Sequence, residues 1–141
     1  MKAKPDFELD HIGIAVPSLE KGFEFYKALG FTTMETEVVE SEKVKTGFIR
    51  LGNECSIELL EPTSEDSAIA KFLEKRGPGM QQLCLRVKGL DALLAHLKSQ
   101  GIRLINETPK MGAHNCRIAF VHPASTGGVL IELSEKLEGH G

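Results

Sequence analysis

The sequence predicts an α+β fold made of two tandem copies of one βαβββ unit. Residues 10–31 and 81–102 align when one segment is shifted by 71 positions, and in each the pattern reads as strand, helix and terminating glycine. The triplet Ile-Glu-Leu occurs at 57–59 and again at 131–133, an offset of 74 positions. A repeat of this length predicts two similar supersecondary units, the second carrying about three extra residues.

The first copy opens with an alternating strand at 11–16, which ends at Pro17 because proline cannot donate to a β-ladder. Ser18 can cap the helix that follows, and Gly30 suits the left-handed residue after its last turn. Apolar residues at helical spacing form one face of this helix: Leu19, Phe23 and Tyr26. In the second copy Leu90, Leu93, Leu94 and Leu97 form the same stripe, and Gly101 ends it.

The remainder of each copy reads as β-structure. In the first copy, segments 44–51 and 55–60 predict a hairpin around Gly52-Asn53. The corresponding strands of the second copy are expected at 102–105, 117–121 and 129–133. Between the copies, residues 67–75 predict a linking helix that is stopped by Gly77-Pro78-Gly79.

We therefore expect a single domain over residues 1–141, a length that suits one hydrophobic core. Module one spans 7–62, the linking-helix region 63–78 and module two 79–135; a polar, frayed tail occupies 136–141.

Composition argues against several classes of function. The net charge is -3 and there is no basic block, so nucleic acid is not an expected partner. No apolar run approaches the roughly 20 residues that a membrane span needs, and the charged N-terminus lacks the apolar core of a signal peptide. Three cysteines without paired spacing suit reduced thiols, and hence a cytoplasmic protein.

The repeat also places polar residues at matching positions. His11 and Gln82 open the first strand of each copy, while Glu58 and Glu132 lie in the last strand of each. Taken singly, each is more simply explained as a solvent-facing or structural residue. Recurrence in register favours convergence on a pseudo-twofold axis, where one imidazole, one amide oxygen and two carboxylates suit a divalent ion with open positions.

The other histidines are weaker candidates. His122 precedes Pro123 at a strand end and suits a turn better than a ligand position, whereas His114 lies in a loop from which it can reach substrate. His96, on the polar side of the second helix, and His140, in the tail, are expected to be solvated.

Several strings resemble one family. DHIGIAV, SIELLEP, SAIAKFLEKRGPGM, INETPKMGAH and HPASTGGVLIEL are similar to the vicinal oxygen chelate (glyoxalase/bleomycin-resistance) superfamily, and most closely to its methylmalonyl-CoA epimerase branch, from about Asp10 to Leu133. The resemblance implies a half-open barrel of two modules around a central cleft, and often a homodimer. It also implies a divalent metal (Co, Zn, Ni or Mn), with the ligands His11, Glu58, Gln82 and Glu132.

The sequence departs from that family at three positions. Gln81-Gln82 stands where the family usually has two histidines, and an amide oxygen binds metals more weakly than imidazole does. Thr46 lies near the point where some epimerases place a second carboxylate base. Ala124 stands where the family commonly has a lysine. Arg50 could replace the lost positive charge in binding an anionic substrate. Thr46, Arg50 and His114 are therefore the expected substrate-binding residues.

The resemblance implies a metal-dependent epimerase of a 2-substituted malonyl-type CoA thioester. In this hypothesis Glu132 removes the proton next to the carbonyl, Glu58 mainly holds the metal, and Glu42 is a candidate second base. Two alternatives stay open: a lactoylglutathione lyase of the glyoxalase I type, for which the His/Gln/Glu/Glu set is suited, and a metal-free small-molecule-binding protein of the same fold.

Overall fold

A computed structural model of the protein describes residues 7–137, which form eight strands and three α-helices. The strands are β1 (Glu8–Ala15), β2 (Glu35–Val39), β3 (Val44–Arg50), β4 (Ser56–Pro62), β5 (Gly79–Arg86), β6 (Lys110–Met111), β7 (Cys116–Val121) and β8 (Ile131–Lys136). The helices are α1 (Leu19–Leu29), α2 (Ala68–Arg76) and α3 (Leu90–Ser99). The predicted fold class, α+β with tandem βαβββ modules, is confirmed.

The chain divides into two compact units, which we describe separately. The first unit comprises residues 11–81, and the described part of the second comprises residues 7–10 and 82–137. In the first unit the strand order is β2-β3-β4-β1. Strand β4 runs antiparallel to β3 and parallel to β1, so that the unit's first and last strands are neighbours.

The second unit repeats this arrangement with the order β5-β8-β7-β6, in which β8 runs antiparallel to β7 and parallel to β5. The registers also correspond, because Gly13 pairs with Glu58 in the first unit and Cys84 pairs with Glu132 in the second. Cys84 follows Gly13 by 71 positions and Glu132 follows Glu58 by 74, the two offsets found in the sequence repeat.

Each unit buries its own apolar cluster between its helix and its sheet. The first cluster contains Val16, Leu19, Phe23, Ile49 and Leu59. The second contains Val87, Leu90, Leu94, Ala119, Val121 and Leu133. Four positions correspond directly through the repeat, so both helices pack through the stripes that the sequence predicts.

The helix ends follow the predicted capping chemistry. Ser18 Oγ accepts a hydrogen bond from the backbone N–H of Lys21 at 3.2 Å, and Gly30 adopts the left-handed conformation with φ 117°. The linking helix α2 begins one residue later than predicted, because Ser67 is its N-cap and accepts from Ala70 N–H at 3.0 Å. Within the described chain, no helix is both long and apolar enough to span a membrane.

The strand predicted at 102–105 is wrong. Leu104 makes a single isolated bridge to Val121, and the regular ladder stops there. The side-chain Oδ1 of Asn106 accepts the backbone N–H of Phe120 at 2.9 Å, taking a donor that a continuous ladder would use. The short strand next to β7 is instead β6, at Lys110–Met111.

Other boundaries also differ from the sequence predictions. Strand β2 was not predicted; it is a polar edge strand with three of its five residues exposed. The hairpin between β3 and β4 is confirmed, although its two left-handed residues are Asn53 and Glu54 rather than glycine. Strand β8 begins two residues later than predicted and continues to Lys136, so the predicted frayed tail starts too early; residues 138–141 of that tail lie outside the described chain.

Candidate functional site

Strand alternation places the predicted polar residues on the sheet face opposite each unit's helix. In β4, Ile57 and Leu59 pack in the apolar cluster against α1, so Glu58 between them points to the other face. In β8, Ile131 and Leu133 pack toward α3 and Glu132 points away in the same manner.

In the first unit, His11 and Glu58 form a buried pair. The distance from His11 Nδ1 to Glu58 Oε2 is 2.9 Å, and the residues are 5% and 7% exposed. The parallel pairing of β1 with β4 brings them together, since His11 aligns with Ser56, two residues before Glu58. The separation suits a hydrogen bond. It is also the spacing of two ligand atoms that bind one ion at right angles, each about 2.1 Å from it.

In the second unit, Gln82 and Glu132 form the corresponding pair. Gln82 Nε2 donates to Glu132 Oε1 at 2.5 Å, and Glu132 is 6% exposed. The nitrogen of the amide faces the carboxylate, so rotation of the amide group would be needed to turn its oxygen toward a shared ion. The sequence-predicted ligands therefore form two pairs, one in each unit.

Both glutamates have a phenylalanine as their partner on the adjacent antiparallel strand. Phe48 aligns with Glu58 and Phe120 aligns with Glu132, and both phenylalanines are buried. A carboxylate buried beside apolar side chains costs free energy unless a positive group or hydrogen bonds offset it. A divalent cation would supply such a positive group to either carboxylate, and the imidazole or amide beside each carboxylate is also a metal ligand by its chemistry.

The three predicted substrate-binding residues occupy different surroundings. Thr46 is 2% exposed and aligns with Leu60 in β4, two residues beyond Glu58 on the same strand face. Arg50, at the end of β3, is exposed and lies 3.4 Å from Glu35 Oε2. His114 is exposed in a 3₁₀ turn at Ala113–Asn115, where it has a left-handed φ of 55°.

Glu42, the predicted second base, ends a 3₁₀ turn at Glu40–Glu42 between β2 and β3. Its side chain is half-buried and its Oε2 atom is buried.

The remaining histidines behave as expected where they are described. His122 Nδ1 accepts the backbone N–H of Ala124 at 3.0 Å, which confirms its structural role in the turn. His96 is exposed on α3, and His140 lies outside the described residues.

The structure adds two residues that the sequence reasoning missed. Glu61 Oε1 accepts from the backbone N–H of Leu19 at 2.8 Å, at the start of α1. Glu135 accepts from Gly89 N–H at 2.6 Å and from Leu90 N–H at 3.3 Å, at the start of α3. Their shared offset of 74 positions was the signal that could have revealed them.

Comparisons with known proteins point to one family. The family model of the glyoxalase/bleomycin resistance protein/dioxygenase superfamily matches residues 10–120 of the chain. The chain is 42% identical over 129 residues to the mitochondrial methylmalonyl-CoA epimerase of Homo sapiens, an alignment that covers 90% of this chain and 73% of that protein.

Solved structures show the same similarity. The crystal structure of methylmalonyl-CoA epimerase from Mycobacterium tuberculosis matches with a TM-score of 0.90 and 44% identity, covering 98% of this chain and 94% of that one. A methylmalonyl-CoA epimerase solved in complex with methylmalonyl-CoA and NH4+ matches with a TM-score of 0.86 and 36% identity, covering 94% and 96%. The likeness therefore extends over nearly the whole chain.

Proposed function

Because the chain belongs to the glyoxalase/bleomycin resistance protein/dioxygenase superfamily, we propose that it is an isomerase that epimerises a 2-substituted malonyl-type CoA thioester. One observation carries the proposal. A chain about 40% identical to methylmalonyl-CoA epimerases has a buried carboxylate at matching positions of both its units, each paired with a potential metal ligand.

We further propose that His11, Glu58, Gln82 and Glu132 together hold a divalent metal. The two carboxylates would offset the charge of a divalent ion, and the imidazole and amide would complete four ligands. When bound, the cation would act as a Lewis acid toward the thioester carbonyl and lower the energy of the enolate. Cobalt, zinc, nickel and manganese are the expected metals.

The proton transfer is assigned to two carboxylates. Glu132 removes the proton next to the carbonyl on one face. Glu42 returns a proton to the opposite face of the planar enolate. For this step Glu42 starts protonated and Glu132 starts ionised; after turnover, solvent returns a proton to Glu42 and accepts the proton held by Glu132, so that the enzyme regains its starting form. In the reverse reaction the two residues exchange roles.

Thr46, Arg50 and His114 are the proposed substrate contacts. Thr46 supports this role by its position on the same strand face as Glu58. Arg50 supplies an exposed positive charge for an anionic thioester. The homodimer and the cytoplasmic location expected from the sequence stay predictions.

The test is solvent deuterium uptake at the α-carbon of methylmalonyl-CoA. Protein loaded with each candidate metal should catalyse both the exchange and the interconversion of the two epimers. Glu132→Gln should abolish the interconversion and the exchange from the epimer whose proton Glu132 removes. Absence of exchange with every metal would reject the proposed activity. Elemental analysis of the purified protein identifies the bound ion.

One alternative is favoured by a specific residue. Gln82 completes the His/Gln/Glu/Glu set that the resemblance associates with glyoxalase I, for which the substrate is the hemithioacetal of glutathione. Rates measured side by side with the CoA thioester and with the glutathione hemithioacetal distinguish the two activities. A higher kcat/KM for the hemithioacetal would assign the chain to that reaction instead.

A further inference from the structure

Lys43 directly follows the turn that carries Glu42 and is fixed there by its backbone. Its N–H donates to Glu40 O at 3.1 Å, and its carbonyl accepts from Thr63 N–H at 2.9 Å. It adopts a left-handed conformation, with φ 53° and ψ 50°, which is uncommon for lysine. Two hydrogen bonds therefore join this strained residue to both the turn and the segment after β4.

The side chain of Lys43 adds a third connection. Its Nζ lies 2.5 Å from Asp66 Oδ2, and Asp66 Oδ1 in turn accepts from Ser64 Oγ. Both contacts lower the pKa of Asp66 to about 2, the larger effect coming from Lys43. The carboxylate is therefore ionised at any ordinary assay pH, and the pair persists throughout.

Stability alone does not explain this arrangement. The side chains of Lys43 and Asp66 are 49% and 62% exposed, and ion pairs this exposed contribute little to folding. Their effect is local, because they connect the β2–β3 turn to the loop between β4 and α2. The residue next to Lys43 in that turn is Glu42.

We propose that Lys43 and Asp66 are positioning residues that hold the Glu40–Glu42 turn in place, so that the Glu42 carboxylate meets the substrate. This inference rests on the proposed function and deepens it, since it explains how the Lys43–Asp66 ion pair positions Glu42, one of the two proposed bases. A base displaced by about 1 Å can lose as much as a hundredfold in rate.

The experiment compares Asp66→Asn and Lys43→Gly with wild type, each loaded with the metal that supports wild-type activity. Glycine accepts the left-handed conformation, so Lys43→Gly removes only the side chain. Glu107→Gln is the matched control, because it breaks the Lys98–Glu107 pair, which has the same 2.5 Å separation at 66% and 61% exposure. Lys43→Arg keeps the charge and should restore most of the activity.

Asp66→Asn and Lys43→Gly should lower kcat about tenfold with little change in KM. Deuterium uptake, measured separately from each epimer, should fall for one epimer and persist for the other, because Glu132 is untouched. Backbone amide exchange at residues 40–43 should accelerate in both variants and not in Glu107→Gln.

Three results would overturn the inference while leaving the proposed function intact. These are a kcat equal to that of Glu107→Gln, an equal loss of uptake from both epimers, and unchanged amide exchange at residues 40–43. Wild-type protein without any α-proton exchange would instead reject the proposed function, and the inference with it.

Discussion

Glu61 and Glu135 occupy equivalent positions in the two units, and each accepts a hydrogen bond from the backbone at the start of its own unit's helix. Each lies three residues after the glutamate proposed as a metal ligand, on the same strand. One strand in each unit therefore anchors the helix on one sheet face and carries the candidate site on the other.

The two anchors should differ in their effect on stability. Glu61→Ala should lower the free energy of unfolding by about 1 kcal/mol, since α1 keeps the Ser18 cap. Glu135→Ala should cost more, about 2 kcal/mol, because the N-cap of α3 is Gly89, which has no side chain to accept a hydrogen bond. Urea denaturation measures both, with the exposed Glu24→Ala as control. Equal losses in the two variants would contradict the argument.

Glu58 and Glu132 should be separable by metal rescue. Both glutamine variants should lose at least about a hundredfold in epimerisation rate. Excess divalent metal should restore part of the activity of Glu58→Gln, whose role is to hold the ion, and none of Glu132→Gln, whose role is to accept the proton. The measurement is initial rate against metal concentration. Rescue of Glu132→Gln would transfer the base assignment to another residue.

Gln82→His should raise the affinity for Zn²⁺ or Co²⁺ about tenfold or more, because imidazole is a stronger ligand than an amide oxygen for these ions. Competition with a chelator measures the change. Gln81→His is the matched control, since neighbouring residues of β5 point to opposite faces of the sheet. An equal gain in both variants would indicate that the new histidine binds metal at the surface rather than beside Glu132.

The ion pair of Asp66 predicts a specific dependence on pH. Its pKa is lowered from 3.8 to about 2 in the folded protein, so its stabilising effect is fully present above pH 4 and is lost as the pH falls toward 2. The difference in unfolding free energy between wild type and Asp66→Asn should therefore be constant at neutral pH and shrink in acid. Thermal unfolding at several pH values tests this; a difference that grows in acid would contradict it.

The helices were predictable because local chemistry specifies them. Ser18 and Gly30 define the ends of α1 without reference to the rest of the chain. The burial of Glu58 and Glu132 was predictable only through the repeat, because a single glutamate in a strand usually faces solvent. The sequence could not supply the partner of each residue, since the pairing of His11 with Glu58 depends on the register of two distant strands.

The features that escaped prediction depend on contacts far along the chain. Strand β2 has mainly polar residues and pairs with β3 alone among the described strands, so it lacks the pattern of a buried strand. The segment 102–105 is apolar enough for a strand. However, the side chain of Asn106 accepts the backbone N–H of Phe120 in β7, which a continuous ladder would use. Lys43 adopts a conformation that its residue type disfavours, so its contact with Asp66 could not be inferred from the sequence.

The spacing of Glu58 and Glu61 limits how this protein can evolve. Three positions along a strand put two side chains on opposite faces, so inserting or deleting a single residue between them would turn both carboxylates toward the same face. The same holds for Glu132 and Glu135. Length variation among descendants of this chain should therefore accumulate in segments such as 122–128 and be excluded from these two four-residue frames.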